Sequence, residues 1–293
     1  MGLPQWVAVG QTQNPIRFEH TGFFASPRLS ESSGVAVSRN NPGVLWTHND
    51  SGDEPVVYAT DLSGRDLGRI RVSGAEAVDW EDIAVGPCPA PAGAEACLYV
   101  ADTGDNFEAR STAGIYIFPE PLVPDGGLTS AERTDQARLV RIHYSDGPHD
   151  VEALAIRPNG DALLISKGRS GPIVVYSIPG AQMTEQSVIA SPIDTLPIDT
   201  SVGLINQVTG AAVSADGERL VVRTYTQLWF YRFEASGRIH AIGLPCQVGL
   251  RQPQGEAVDF LDGNWVVLTS ETALGRAGGV ARAACLDAPP KGI

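Results

Sequence analysis

The sequence lacks several features that identify common classes of protein. No apolar run approaches the ~20 residues of a membrane-spanning helix, and no segment has the periodicity of an amphipathic helix. Zinc-type cysteine spacing, a Gly-x-Ser-x-Gly elbow, a phosphate-cradling glycine loop and an EF-hand loop are also missing. The sequence therefore predicts no membrane span and none of the classes that those motifs identify.

Positive charge is also scarce. Lys and Arg number 21 against 34 Asp and Glu, which gives a formal net charge of -13. Because phosphate binding needs a basic face, this balance excludes nucleic acid as a partner. The acidity has two explanations, which are solubility and the binding of cations.

The four cysteines are few but even in number. Cys88 and Cys97 bracket a short loop that a disulfide would close readily, and Cys246 and Cys285 would then form a second one, although three pairings are compatible with the sequence. Paired cysteines indicate an oxidising compartment, so we expect a secreted or periplasmic protein. The alternative is a cytosolic protein with four free thiols. The amino terminus lacks the features of a signal peptide, which fits a secreted protein whose signal is absent from this sequence.

A two-strand pattern recurs five times. Each copy has a polar residue, a small-apolar strand, a turn with Gly and Asn or Asp, and a second apolar strand, and the first strands start near residues 33, 81, 152, 209 and 256. Repeats spaced roughly 45 to 70 residues apart suit four-stranded blades with variable loops. We predict an all-β fold, a five-bladed β-propeller formed by one domain of residues 1–293.

The ends of the chain complete this prediction. Residues 1–28 are β-prone but have no partner of their own, so we predict that a strand from this segment closes the last blade and removes an exposed sheet edge. The stretch after the third repeat contains Pro192 and Pro197 and is expected to be an irregular tail. A sixth blade would need an extra hairpin within 119–145 or 179–205, and neither stretch carries the inner-strand pattern.

Five oxygen-bearing residues occupy the same position in the repeats. They are Ser33, Glu81, Glu152, Thr209 and Glu256. Because the innermost strand of each blade lines a propeller's axis, we expect these side chains to converge there. Carboxylates so close repel each other unless a cation neutralises them, and Ca²⁺ takes six to eight oxygen ligands. The pattern therefore predicts an axial Ca²⁺ site; the alternative is a polar channel filled with water.

A second set of polar residues lies where the second strands end, on the same face of the propeller. In the hairpin of the second repeat, for example, the acids before the first strand and after the second should share one sheet edge. The set consists of His48, Asn49, Asp50, Asp102, Asp105, Asn106, Lys167, Arg169, Arg223, Tyr225 and Glu271. It could bind an anionic ligand beside a metal, although Asn and Asp are also what turns require.

Four residues of this set are candidate catalytic groups. Lys167 and Arg223 end apolar strands, where an unpaired cation is costly, and we predict that they stabilise developing negative charge. His48 and Asp102 are candidate bases. The predicted substrate contacts are Asn49, Asp50, Asp105, Asn106, Arg169, Tyr225 and Glu271.

The inner strands resemble those of the five-bladed calcium-dependent apyrases. The closest matches are residues 81–85 (EDIAV), 98–100 (LYV) and 255–258 (GEAV). The resemblance implies Ca²⁺ in a central tunnel and hydrolysis of nucleoside di- and triphosphates on the same face. That family has many Arg and Lys residues where its strands end, and in this sequence only Lys167, Arg169 and Arg223 occupy such positions. The pattern also resembles secreted bacterial propellers of the esterase-like phytase and SdiA-regulated type, and such resemblance indicates fold better than function.

Two functions are compatible with these features. The preferred hypothesis is a metal-dependent hydrolase or lyase, active as a monomer, that acts on a small anionic substrate such as a phosphoester or an acidic sugar. Glu81, Glu152 and Glu256 would then hold the metal. The alternative is a non-catalytic propeller that binds a ligand or a protein and keeps calcium for structural reasons.

Overall fold

A computed structural model describes residues 14–90, 94–129, 132–234 and 237–286. Its regular structure is almost entirely β. The first ten strands are β1 (Ile16–Phe23), β2 (Ser32–Val37), β3 (Leu45–Asn49), β4 (Val56–Thr60), β5 (Arg69–Ser73), β6 (Trp80–Pro87), β7 (Ala96–Asp102), β8 (Ala113–Pro119), β9 (Arg133–Gln136) and β10 (Arg138–Tyr144). Short strands joined by tight turns confirm the prediction of an all-β chain.

The second half of the chain continues in the same way. Its strands are β11 (Val151–Ile156), β12 (Ala162–Ser166), β13 (Ile173–Ile178), β14 (Ser187–Leu196), β15 (Val208–Val213), β16 (Arg219–Thr224), β17 (Gln227–Phe233), β18 (Ile239–Ala241), β19 (Cys246–Gln247), β20 (Gln254–Asp262), β21 (Trp265–Glu271) and β22 (Gly279–Cys285). The turns after β11 and β15 use Gly160 (φ 88) and Gly217 (φ 75), whose left-handed backbone favours glycine. The described residues form two short 3-10 helices, Gly180–Thr184 and Thr200–Asn206, and no described helix is long and apolar enough to cross a membrane.

Each repeat forms a unit of four neighbouring strands. The units run β2-β3-β4-β5, β6-β7-β8-β10, β11-β12-β13-β14, β15-β16-β17-β18 and β20-β21-β22-β1. The parallel pair β10–β14 joins two of them into one sheet of eight strands, while β9 extends the first unit and β19 pairs with β17. Hydrogen bonding therefore gives four sheets in a propeller-like arrangement.

The first strand of each unit, called the inner strand below, lies beside the inner strands of the neighbouring units. Carboxylates of the inner strands link these strands through backbone amides. Asp82 of β6 accepts a hydrogen bond from the Leu154 amide of β11 (2.9 Å), and Asp259 of β20 accepts one from the Val37 amide of β2 (2.7 Å). An inner strand has an edge without a sheet partner, and these carboxylates pair part of it. The last unit is thereby joined to the first.

The amino-terminal strand closes the last unit, as predicted. Strand β1 pairs antiparallel with β22, from Ile16 opposite Cys285 to Phe23 opposite Gly279. Residues 1–13 of the predicted closing segment lie outside the described residues. The pairing covers the edge of β22, so both ends of the described chain meet in one sheet.

The predicted irregular tail is wrong. Residues 187–196 form β14, the longest described strand, which pairs with both β13 and β10. Its Pro192 lies opposite Tyr176, next to a register shift. A proline lacks the amide that a regular ladder needs, and such an irregularity is where a strand tolerates it.

The two predicted disulfides are confirmed. Cys88 at the end of β6 is bonded to Cys97 of β7, with 4.9 Å between their Cα atoms. Cys246 of β19 is bonded to Cys285 of β22, with 5.9 Å between their Cα atoms. The second bond connects the fourth unit to the strand that β1 closes.

Candidate metal centre

The inner strands share an irregularity close to their first residues. The pairing register shifts between Trp80 and Asp82 in β6 and between Val151 and Ala153 in β11, and β2, β15 and β20 shift at the equivalent point. The residues at these shifts include the predicted axial set: Ser33, Glu81, Glu152, Thr209 and Glu256. A β-bulge re-aims a side chain relative to the strand, and all five of these side chains are buried.

Three carboxylates form what we call the inner group: Glu81, Asp150 and Glu152. One oxygen from each lies within 4.8 Å of the others, and the residues are 5%, 1% and 4% exposed. Two oxygens bound to one Ca²⁺ at 2.3–2.6 Å can be up to about 5 Å apart. The spacing of the inner group therefore suits a single cation.

One atom of the inner group has an unmet bonding requirement. Oδ1 of Asp150 accepts a hydrogen bond from the Asp105 amide (2.9 Å), whereas Oδ2 is buried and has no hydrogen-bond partner among the described residues. A buried, unpaired carboxylate oxygen is costly. A cation at this position would satisfy it.

Lys167 partly neutralises the inner group. Its Nζ donates to Glu152 and lies 3.9 Å from Oδ2 of Asp150. Burial raises the pKa of Glu152 to about 7, against the lowering effect of Lys167. Burial also raises the pKa of Glu81, and the charge of Glu152 raises it further. Lys167 and Arg169, whose Nε also lies 3.9 Å from Oδ2 of Asp150, leave the three carboxylates with one formal negative charge, which a cation would offset.

A second cluster, the outer group, consists of Asp50, Asp79 and Glu81. Their oxygens also lie within 4.8 Å of one another, and Asp50 and Asp79 are half-buried. Burial raises the pKa of Asp79 to about 6, and the nearby charge of Asp50 contributes to the rise. Glu81 belongs to both groups, so the two clusters are continuous.

Gly104 packs against the outer group. A Cβ at this position would lie 2.0 Å from Oε1 of Glu81 and 2.5 Å from Oδ2 of Asp79. Its amide donates to the Asp79 carbonyl (3.2 Å). The absence of a side chain at Gly104 thus makes room for the two carboxylates.

The remaining predicted metal ligands lie outside both groups. The hydroxyls of Ser33 and Thr209 donate to the carbonyls of Glu81 (2.7 Å) and Gly255 (3.2 Å), so they link neighbouring inner strands. Glu256 is buried, and its pKa is raised by burial first and then by Glu271. The structure therefore brings Glu81 and Glu152 together and joins Asp150 to them.

Glu271 and Tyr225 also face this carboxylate-rich region. Burial raises the pKa of Glu271 to about 8, and the charges of Asp50, Glu31 and Glu152 add to the rise. Burial raises the pKa of Tyr225, and Glu256 is its strongest charged neighbour. The negative charges of this region therefore raise the pKa values of both residues.

Three of the four predicted catalytic residues are held in structural contacts. His48 is fully buried, its Nδ1 lies 2.8 Å from the Asn49 carbonyl, and its ring is edge-on to Trp80 at 5.6 Å. Burial lowers its pKa. Asp102 accepts hydrogen bonds from Arg110 (2.8 Å) and from the Asp79 amide (3.2 Å).

Arg223 is the third of these residues. Its guanidinium donates to the carbonyls of Ala257 (2.7 Å) and Thr269 (2.9 Å) and to Oε1 of Gln252 (2.7 Å). It is fully buried, and burial lowers its pKa to about 10. Lys167 is therefore the predicted catalytic residue that contacts the inner group.

The predicted substrate contacts divide in a similar way. Asp50 belongs to the outer group, and Asp105 positions Asp150 through its amide while its own carboxylate accepts from the Arg110 amide (2.6 Å). Asn49 is buried and bonded to the Arg28 carbonyl (2.7 Å) and to Asp53 (2.5 Å). Of the two exposed residues, Arg169 donates to the Asn106 carbonyl (3.4 Å) and lies 3.9 Å from Asp150.

The sequence prediction did not include Asp79 and Asp150 among the metal ligands. Each lies two residues before a predicted ligand, in the segments Asp79-Trp80-Glu81 and Asp150-Val151-Glu152. The repeated Asp-x-Glu spacing was the available signal. Gly104 had no comparable signal, because its role depends on a contact across the hairpin.

Comparison with known proteins identifies a fold. No protein-family model matches the chain, and no curated protein is significantly similar to it. The PQQ-bound form of an aldose sugar dehydrogenase from Streptomyces coelicolor superposes with a TM-score of 0.54 and 14% identity, over 93% of this chain and 99% of that one. A glucose dehydrogenase-type oxidoreductase from Thermus thermophilus gives 0.49 and 13%, over 92% and 99%.

The first of these similarities supports a shared β-propeller fold. At 14% identity it says nothing about chemistry. The aldose sugar dehydrogenase is neither an apyrase nor a phytase. The resemblance to those families is therefore supported only at the level of a propeller fold.

Proposed function

We propose that this protein is a five-bladed β-propeller that binds a divalent cation, best Ca²⁺, at its inner group. The eight-stranded sheet would be two blades, β6-β7-β8-β10 and β11–β14, joined at their outer strands. Support for this comes from apolar clusters that lie between consecutive four-strand units, including one between the last unit and the first. Five blades would place the five bulged inner-strand residues around one axis.

The observation that carries the cation proposal is the buried Oδ2 of Asp150, which accepts no hydrogen bond among the described residues and lies 3.9 Å from both Lys167 and Arg169. It lies in a group with Glu81 and Glu152 that retains negative charge after Lys167 is counted. Carboxylate oxygens are the ligands that hard cations such as Ca²⁺ prefer. The alternative of a wet channel leaves this buried oxygen and the mutual repulsion of Glu81 and Glu152 to be met by water and protons alone.

The proposed activity is the binding and hydrolysis of a small anionic substrate, such as a phosphoester or an acidic sugar. A bound cation would supply charge to attract the substrate and polarise its reacting oxygen. Among the chain's own residues, Lys167 supplies a second positive charge. The charge of Glu152 also raises the pKa values of Tyr225 and Glu271, so these two titratable groups lie near the site.

A second candidate is a binding propeller with structural calcium. Two observations favour it: the structural contacts of His48, Asp102 and Arg223, and exposed apolar side chains on loops of the same face. Those side chains are Phe107 (92% exposed), Leu204 (68%), Leu250 (76%) and Leu274 (87%). Leu204 lies in the second 3-10 helix and the other three lie in loops, and each of these segments follows a second strand or precedes an inner strand.

The two disulfides support a further part of the proposal, which is that the protein works outside the cytosol. Disulfides persist in oxidising compartments and are rare elsewhere. Fractionation of the native source, with antibody detection in the extracellular and periplasmic fractions, tests this location. A signal confined to the cytosol would contradict it.

The experiment for the cation site is a thermal melt in EDTA and then in excess Ca²⁺, with elemental analysis of the purified protein. A ligand at 100 times its Kd adds ~2.7 kcal/mol to stability, which is a rise in Tm of roughly 4–5 °C for a chain of this size. Asp150→Asn should abolish the rise. Glu218→Gln, at an exposed position away from the site, is the matched control and should retain it.

Activity separates the two candidate functions. Release of phosphate from phosphoesters, and of sugar acids from acidic glycans, is measured with Ca²⁺ and with EDTA. Calcium-dependent turnover that Lys167→Met lowers at unchanged Tm supports the hydrolase. Calcium binding without turnover of any of these substrates supports the binding propeller.

A further inference from the structure

We infer that the site holds two divalent cations bridged by Glu81, one in the inner group and one in the outer group. This inference rests on the proposed cation site and extends it from one ion to two. The ligands of the second ion would be Asp50, Asp79 and Glu81. The chemistry of these ligands, carboxylate oxygens alone, selects Ca²⁺, Mn²⁺ or Mg²⁺ over softer metals.

The bridging position of Glu81 is the first argument. Its carboxylate supplies an oxygen to each group, and both sets of oxygens satisfy the 4.8 Å limit. Glu81 is 5% exposed, yet its carboxylate accepts no hydrogen bond and forms no close ion pair within the described part of the chain. A buried carboxylate that belongs to both clusters is suited to bridge two cations, which are typically about 3.5–4 Å apart in two-metal sites.

The packing of Gly104 is an independent argument. Its Cα faces Oε1 of Glu81 and the carboxylate of Asp79 so closely that a methyl group would overlap both. The backbone thus leaves space for the carboxylates of Glu81 and Asp79 to lie side by side. The charges of Arg110 and Lys167 offset this repulsion only in part, since the pKa values of Asp79 and Glu81 are both raised.

Charge balance is the third argument. The two groups together contain five carboxylates: Asp50, Asp79, Glu81, Asp150 and Glu152. Lys167 is the single ammonium in contact with them among the described residues. The guanidinium of Arg169 also lies 3.9 Å from Oδ2 of Asp150, so three formal negative charges remain, which exceeds the charge of one divalent cation.

The two cations should exchange with solvent at different rates. Asp150 and Glu152 bury the inner ion, whereas Asp50 and Asp79 are half-buried and leave the outer ion accessible from solvent. The outer ion would therefore exchange faster and be the one that an incoming anion contacts. This assigns structural support to the inner ion and ligand binding to the outer ion.

The test is a titration of the EDTA-treated full chain with Mn²⁺, followed by calorimetry and by electron paramagnetic resonance. The wild-type protein should bind two ions per chain and give the broadened spectrum of a spin-coupled pair. Asp79→Asn and Asp50→Asn should each weaken only the outer ion, by about tenfold or more, which is 1.4 kcal/mol or more of binding free energy. Both variants should then give the spectrum of an isolated ion.

Other outcomes distinguish the inference from the function it rests on. One ion per chain, lost in Asp150→Asn and unaffected in Asp79→Asn and Asp50→Asn, would overturn the two-ion centre and leave the proposed cation site intact. Two ions without spin coupling, retained in Glu81→Gln, would also overturn it. No binding at all would refute the cation site itself. Cooperative melting of each variant in EDTA establishes that it is folded.

Discussion

Substitution of Gly104 by alanine tests the geometry of the site without removing a single ligand. The added methyl carbon would lie 2.0 Å from Oε1 of Glu81, whereas ordinary contacts begin at 3.4 Å. The carboxylate must therefore move by about 1.4 Å. The metal–oxygen distances that Ca²⁺ accepts span only about 0.3 Å, so this displacement removes Glu81 as a ligand in its present position.

The expected loss of Ca²⁺ affinity follows from the presence of Glu81 in both groups. Loss of one charged interaction of this kind costs about 1.5–3 kcal/mol, which corresponds to a roughly 10- to 150-fold weaker Kd. Because Glu81 contributes to both groups, both ions should bind more weakly. Overpacking should also lower the stability of the metal-free protein by about 1–3 kcal/mol.

The assay is calorimetric titration of EDTA-treated protein with Ca²⁺, combined with urea unfolding in EDTA. Gly171→Ala is the matched control, because a Cβ there meets nothing within 4 Å. Unchanged Ca²⁺ affinity in a folded Gly104→Ala protein would refute the assignment of Glu81 as a ligand. A loss of affinity equal to that of the Gly171→Ala control would lead to the same conclusion.

Three further predictions concern stability. The Cys246–Cys285 disulfide closes a loop with a sequence separation of 39. Its loss should lower the free energy of unfolding by about 4 kcal/mol, because the unfolded chain gains loop entropy. The Cys246→Ser/Cys285→Ser variant should therefore unfold at a lower urea concentration, and an unchanged midpoint would contradict this. Arg223→Met should lower stability by roughly 3 kcal/mol because two buried carbonyls lose their donor, and an unchanged Tm would instead favour the sequence-based catalytic role. Burial raises the pKa of Asp259 to about 7. The folded state therefore holds a proton that the unfolded state releases near pH 4, so this residue lowers the free energy of unfolding as pH rises from about 4 to about 7. In unfolding experiments carried out in EDTA, Asp259→Asn should make this decline with pH less steep. An identical pH profile would show that Asp259 does not contribute.

The fold was predictable where the signal is local. A polar residue, a small-apolar strand and a Gly turn recur in the sequence, and each copy became an inner strand and its partner. The pairing of Trp80 with Asp102, and the bond from the Asp79 amide to Asp102, confirm that the acids of that hairpin share one edge. Strand β14 was missed because proline opposes strand formation locally, and only its position at an irregular pairing makes it acceptable.

The site was predictable in part. Glu81 and Glu152 stood at equivalent repeat positions, and the structure brings them together. The role of Arg223 was not predictable, because its partners lie 29 to 46 residues further along the chain. Its strand-end position near the carboxylates is compatible with either catalysis or a backbone clamp, and only the contacts distinguish the two.

The burial of His48 was also not predictable from the local sequence. A histidine followed by Asn and Asp at a strand exit is a reasonable candidate base. Its burial results from Trp80 of the neighbouring unit and from close packing against Gly34. The contact with Trp80 depends on how the repeats pack, which repeat alignment alone does not specify.

The most direct measurement for the cation site is anomalous diffraction from a crystal of the protein soaked in Mn²⁺. We predict an anomalous peak bounded by Glu81, Asp150 and Glu152, which Asp150→Asn removes. A map with no peak between these three carboxylates, at a Mn²⁺ concentration that saturates binding in solution, would contradict the account.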